Sequence, residues 1–134
     1  LPICIIEDEN LLDNTLAMGA RMVANLEALM EKHKVIGDVR GKGLLLAFEL
    51  VADRATMTPL PKALNAYLRL VDLAYERGLI IYSRRTRGGL EGDHFMVCPP
   101  LITTPAQIDE IIGLLTDALD AFAIEARLPL AEAA

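Results

Sequence analysis

The chain has no tryptophan and only three tyrosines and three phenylalanines. So few rings leave little with which to stack on nucleic-acid bases. It is also poor in basic groups: 13 lysines and arginines face 19 acids, for a formal net charge of −6. A phosphate backbone selects basic surfaces, so nucleic acid is excluded as a partner. There are two cysteines, Cys4 and Cys98, which suits a reducing compartment better than a disulfide framework. No run is long and uncharged enough to span a membrane. No basic lead precedes the acidic Glu7-Asp8-Glu9, so no signal peptide is read and a cytoplasmic location is expected. Lysine is scarce too: Lys32, Lys34, Lys42 and Lys62 are the whole set.

Apolar side chains, in contrast, are plentiful. They make up 53% of the 134 residues, and mean hydropathy is +0.35. The length is that of one domain with a core of its own. The surplus predicts a bare apolar face that another domain or subunit covers. The opening Leu1-Pro2-Ile3-Cys4-Ile5-Ile6 has no initiator methionine and reads as a cut through a longer protein.

Hydrophobic period then divides the chain. Residues 10–33 read as a long helix, with Leu12, Leu16, Ala20, Val23 and Met30 near one face. From Val35 to Val51 the pattern turns strand-like on both sides of Arg40-Gly41-Lys42-Gly43. That predicts a hairpin with its corner at those four residues, since glycine reaches positive φ without steric penalty. Pro59 and Pro61 hold residues 52–61 as a loop. A helix is expected over 62–77, with Leu64, Leu68, Val71 and Tyr75 buried and Gly78 as its terminator. A short strand 79–82, a polar loop 83–93 holding Arg84, Arg85 and Arg87, and a strand 94–98 follow. Thr104, Pro105 and Gln107 spell a capping box with proline at the first helical position. Ile108, Ile111, Leu115, Leu119 and Phe122 are the buried face of that last helix. The expected fold is α+β: a small, mostly antiparallel sheet of three or four strands, with helices packed on one face.

Three candidate sites are set aside on these grounds. Asp93 ends a loop and His94 opens an apolar strand, which favours a structural hydrogen bond over acid–base work. His94 and Cys98 share a strand face, but a metal needs more ligands than the neighbourhood offers. Arg40-Gly41-Lys42-Gly43 lies between strands rather than before a helix, so it is a turn and not a phosphate loop. Arg40 is expected to pair with Asp38 or with an acid of a partner domain.

Three stretches, taken in order, resemble one known family. The first is the acidic helix start from Ile6 to Leu12. The second is Gly37 to Leu44, running into Phe48-Glu49-Leu50-Val51-Ala52-Asp53. The third is Glu76-Arg77-Gly78-Leu79-Ile80-Ile81, followed by Gly92-Asp93-His94 and by Pro99-Pro100-Leu101-Ile102-Thr103-Thr104. Together they resemble the C-terminal small domain of class III aminotransferases, which depend on pyridoxal phosphate (PLP) and have the fold type I architecture.

The resemblance implies a full-length enzyme that moves an amino group from an amino donor to an oxo acid. It implies PLP held on a lysine and serving as an electron sink, a large cofactor-binding domain in the same protein, and a homodimer. None of the four lysines here lies in the family's cofactor-lysine setting. The chain alone is therefore expected to bind no cofactor and to be inactive. The family's small domain walls the substrate cleft and often supplies an arginine that forks onto the substrate carboxylate. Arg84, Arg85 and Arg87 are the candidates. The glycine-rich loop is longer than the family's simplest pattern, so which of the three serves stays open. The alternative is a non-enzymatic α+β module for ligand sensing or dimerisation.

Overall fold

The hairpin forms where the glycines announce it, but its corner lies two residues later than expected. In the computed structural model, which describes residues 2–86 and 91–128, β1 (Ile36–Lys42) pairs antiparallel with β2 (Leu45–Asp53). Lys42 faces Leu45, so Gly43 and Leu44 make the turn, and Gly43 has φ +56°. Arg40 thus stands within a strand rather than at the corner. Gly41 adopts φ +142° inside β1, a conformation that glycine tolerates and that continues the ladder.

The remaining elements are α1 (Pro2–Asp8), α2 (Leu11–Lys32), a two-residue β3 (Thr58–Pro59), α3 (Ala66–Glu76), β4 (Tyr82–Thr86), β5 (Glu91–Val97) and α4 (Pro105–Ala126). The main sheet runs β1-β2-β5-β4, all antiparallel, and β3 pairs with β2 as a fifth strand. The α+β expectation holds, with one short strand more than foreseen. The loop 52–61 is correspondingly shortened at both ends.

Side chains alternate across the sheet. Leu46, Phe48 and Leu50 of β2, with Phe95 and Val97 of β5, are buried on the inner face. Phe48 and Phe95 stack with ring centroids 5.0 Å apart. Helices α2 and α3 pack against this face. Between them α4 contributes Ile108, Leu115, Leu119 and Phe122 to the same core, as the period predicts, while Ile111 is only half-buried.

Two helix faces differ from expectation. On α2 the buried stripe is Leu11, Met18, Met22, Leu26 and Leu29, while Leu12 and Leu16 are 65% and 61% exposed. On α3 it is Ala66, Leu70, Leu73 and Ala74, while Leu68 and Tyr75 point outward. Both helices carry two apolar stripes, and the core takes only one of each. The helix expected over 62–77 is also broken: a 3-10 turn (Lys62–Leu64) precedes it, and Asn65 at φ +46° separates the two.

The ends of the helices follow local chemistry. Thr104 accepts from the Gln107 N–H, and the Gln107 side chain accepts from the Thr104 N–H at 2.9 Å, so the capping box closes as read. Gly78 at φ +85° ends α3: its N–H donates to Tyr75 O, and the Leu79 N–H donates to Ala74 O. That is the Schellman pattern. Gly19 of α2 lies so close to the hairpin turn that a Cβ there would stand 2.5 Å from Gly43 O. This contact sets how deeply α2 seats on the sheet. His33 at the end of α2 is buried, and burial pushes its pKa below the ordinary histidine value, against the opposing pull of Asp120.

Candidate functional site

The three arginines do not form one loop. Arg84 and Arg85 are consecutive residues of β4, so they point to opposite faces of the sheet. The polar stretch expected as a loop continues the ladder, with Arg84 opposite His94 and Arg85 opposite Asp93. The strand expected over 79–82 correspondingly begins only at Tyr82. Arg87 lies outside the described residues.

Arg85 points inward. Its side chain is 11% exposed, and its Nε donates to Asp93 Oδ1 at 3.0 Å. The guanidinium carbon sits 4.5 Å from the centre of the Tyr67 ring. Asp93 is itself 2% exposed, and its Oδ1 also accepts from the Tyr67 N–H at 3.2 Å, in the first turn of α3. That helix has no side-chain cap from its own N-cap residue. The carboxylate of β5 therefore supplies an acceptor where the helix end needs one and where negative charge is favoured. Ser83 adds a second tie, donating its hydroxyl to Tyr67 O. Asp93 thus has the structural hydrogen bonds expected of it, and Arg85 is already committed to that anchor.

Arg84 points to the outer face, opposite the one that buries Phe48 and Phe95. Register places two rows of residues there. One runs Asp38, Glu49, His94, Arg84; the next runs Arg40, Ala47, Met96, Tyr82. Within this face Arg40 binds Asp38 and also lies 3.1 Å from Glu49 Oε2. The Asp38 hydrogen bond, reinforced by Glu49, raises the Arg40 pKa above its ordinary value. The pairing of Arg40 with Asp38 is as expected, and two carboxylates leave it no spare charge. His94 has a buried Nδ1 without a hydrogen-bond partner among the described residues.

Arg84 differs from both other guanidiniums. It is exposed, its Nε donates to the Tyr82 hydroxyl at 2.6 Å, and it has no ion pair among the described residues. Beside it, Ile80, Ile81, Tyr82, Met96 and Cys98 line a shallow groove of about 360 Å³. Among the described residues, the outer face thus offers a guanidinium without an ion pair next to an apolar hollow. Tyr82 was missed in the sequence. The signal was there, since residues 82 and 84 share a face once the segment is read as a strand.

PLP requires a lysine amine in a dry setting and donors for its phosphate. Lys32, Lys34, Lys42 and Lys62 are all exposed, and Lys32 leans toward Asp120 at 3.7 Å. These residues do not fit the cofactor. Among the described residues no group of three or more His, Cys, Asp or Glu is arranged to hold a metal ion, and no helix is long and apolar enough to cross a membrane.

The fold defines a transaminase domain. It superposes on a transaminase from the marine bacterium Virgibacillus with a TM-score of 0.87 and 27% identity, over 92% of this chain and 27% of that one. An amine transaminase from an uncultivated Pseudomonas species, in its PLP-bound form, gives 0.74 and 32% identity over 87% of this chain and 25% of that one. The class III aminotransferase family model matches residues 2–119, and the chain belongs to that family. It is 53% identical over 118 residues to the hypotaurine/taurine–pyruvate aminotransferase of Paracoccus denitrificans strain Pd 1222. The match covers 87% of this chain and 24% of that relative, so the chain spans about a quarter of the relative's length.

Proposed function

We propose that this chain is the substrate-recognising small domain of a class III aminotransferase that transfers an amino group to a small oxo acid. The observation that carries the reading is Arg84: an exposed guanidinium without a counter-ion among the described residues, on the sheet face opposite the core. Such a group forks onto a carboxylate through two parallel hydrogen bonds. The apolar groove beside it suits the short carbon skeleton of the same acid. The Paracoccus relative suggests the substrate pair, an amino sulfonate such as taurine as donor and pyruvate as acceptor. Both carry an anionic oxygen head that a guanidinium can hold.

In this reading PLP and its lysine reside in a large domain of the same protein. That domain covers the second apolar stripe of α2, where Leu12 and Leu16 stand one turn apart and exposed. The full protein works as a homodimer in the cytoplasm. The family match across residues 2–119 weighs against the alternative of a non-enzymatic sensing or dimerisation module.

The test is steady-state kinetics on the full-length enzyme. Arg84→Ala should raise KM for pyruvate about 10- to 100-fold, the worth of charge-assisted hydrogen bonds. KM for an aldehyde acceptor without a carboxylate should not move. Equal changes for both acceptors, or none for either, would contradict the assignment.

A further inference from the structure

We propose that Tyr82 is a positioning residue for Arg84: its phenol holds the guanidinium by Nε and so presents the Nη1–Nη2 edge as the anion-binding fork. The inference rests on the reading of Arg84 as the carboxylate-binding group. Tyr82 and Arg84 lie two apart on β4, so their side chains leave the same face of the sheet. The Tyr82 oxygen accepts the Nε–H at 2.6 Å, and the guanidinium carbon is 5.7 Å from the centre of the Tyr82 ring.

A guanidinium has two edges able to hold an anion through paired hydrogen bonds, the Nε–Nη side and the Nη1–Nη2 end. The phenol takes the Nε hydrogen and with it the side edge. Nη1 and Nη2 have no partner among the described residues, so the end edge is the one left for ligand. The consequence is orientation as much as affinity. An arginine on a flexible stem visits many rotamers, and a fixed fork gives up less freedom when ligand arrives. The guanidinium carbon also lies within cation–π range of the ring. It is also a wall of the apolar groove formed with Ile80, Ile81, Met96 and Cys98. One residue therefore both aims the charge and bounds the hollow meant for the carbon skeleton.

Three features keep Tyr82 from being a core residue with an incidental contact. It is 52% exposed. Its hydroxyl has Arg84 as its hydrogen-bond partner among the described residues. Its inward neighbour Ser83, rather than Tyr82, ties the strand to α3. Removing the hydroxyl alone should leave the fold intact.

Tyr82→Phe in the full-length holoenzyme keeps the ring and deletes the acceptor. We expect KM for pyruvate to rise about three- to tenfold with kcat within twofold, and KM for propanal, which lacks the carboxylate, to stay constant. In an Arg84→Ala background the same change should add nothing for pyruvate, because the two residues act as a unit. If Arg84→Ala raises the pyruvate KM but Tyr82→Phe does not, Arg84 keeps its role and the positioning proposal falls. If Tyr82→Phe shifts pyruvate and propanal alike, it falls as well, since the tyrosine then shapes the groove only. If Arg84→Ala leaves the pyruvate KM unchanged, the underlying assignment fails and takes this one with it.

Discussion

Arg85→Ala should remove about 3–5 kcal/mol of folding stability from this chain, while Arg84→Ala, one residue away, should stay within about 0.5 kcal/mol. The difference follows from what each guanidinium faces. Asp93 is 2% exposed and carries its charge next to Arg85, with one further hydrogen bond from the Tyr67 N–H. Deleting the arginine strands a carboxylate in a place that water does not reach. It also uncovers the face of the Tyr67 ring. Arg84 has no such dependent group. Urea unfolding of the two variants, compared at constant slope, measures the contrast. Pairing Arg85→Ala with Asp93→Asn should recover part of the loss, because the stranded charge is gone. Equal midpoints for Arg84→Ala and Arg85→Ala would mean that the two faces of β4 have been assigned wrongly.

Phe48→Ala should cost a similar amount, about 3–5 kcal/mol, the range for emptying an aromatic site in a packed core. Phe48 is fully buried at the centre of β2 and stacks on Phe95, its cross-strand partner, with the ring planes 14° apart. Both strands beside it carry the outer face: Glu49 and Ala47 flank Phe48, while His94 and Met96 flank Phe95. A cavity here loosens the platform on which Tyr82 and Arg84 stand, since β4 is held through β5. The variant should therefore lose both urea resistance and, in the full-length enzyme, affinity for the oxo acid. Phe48→Leu should keep most of each, because it retains much of the volume. A loss below about 1 kcal/mol for Phe48→Ala would show that the sheet does not depend on this stack.

Much of the architecture was legible because local chemistry specifies it. Thr104, Pro105 and Gln107 fixed the start of α4, Gly78 fixed the end of α3, and the glycines around Lys42 announced the hairpin. What could not be read was which apolar stripe faces the core. Periodicity detects a stripe, but α2 offers Leu12 and Leu16 as well as Met18, Met22 and Leu26, and nothing local ranks them. The exposed pair is as apolar as the buried set. The reading of residues 83–93 as a loop failed for a related reason. Polar composition suggests solvent exposure, yet Tyr82, Ser83, Arg84 and Arg85 alternate as a strand whose inner positions find partners in Asp93 and Tyr67. The family resemblance brought the arginines forward. Only three-dimensional placement separated the one bound to Asp93 from the one with no ion pair among the described residues.

The account is tested most directly by locating the cofactor lysine. The full-length enzyme would be loaded with PLP, reduced with borohydride, digested with trypsin and mapped for the labelled peptide. A single label on a lysine outside these 134 residues is the predicted result. A stoichiometric label on Lys32, Lys34, Lys42 or Lys62 would contradict the division of labour described above.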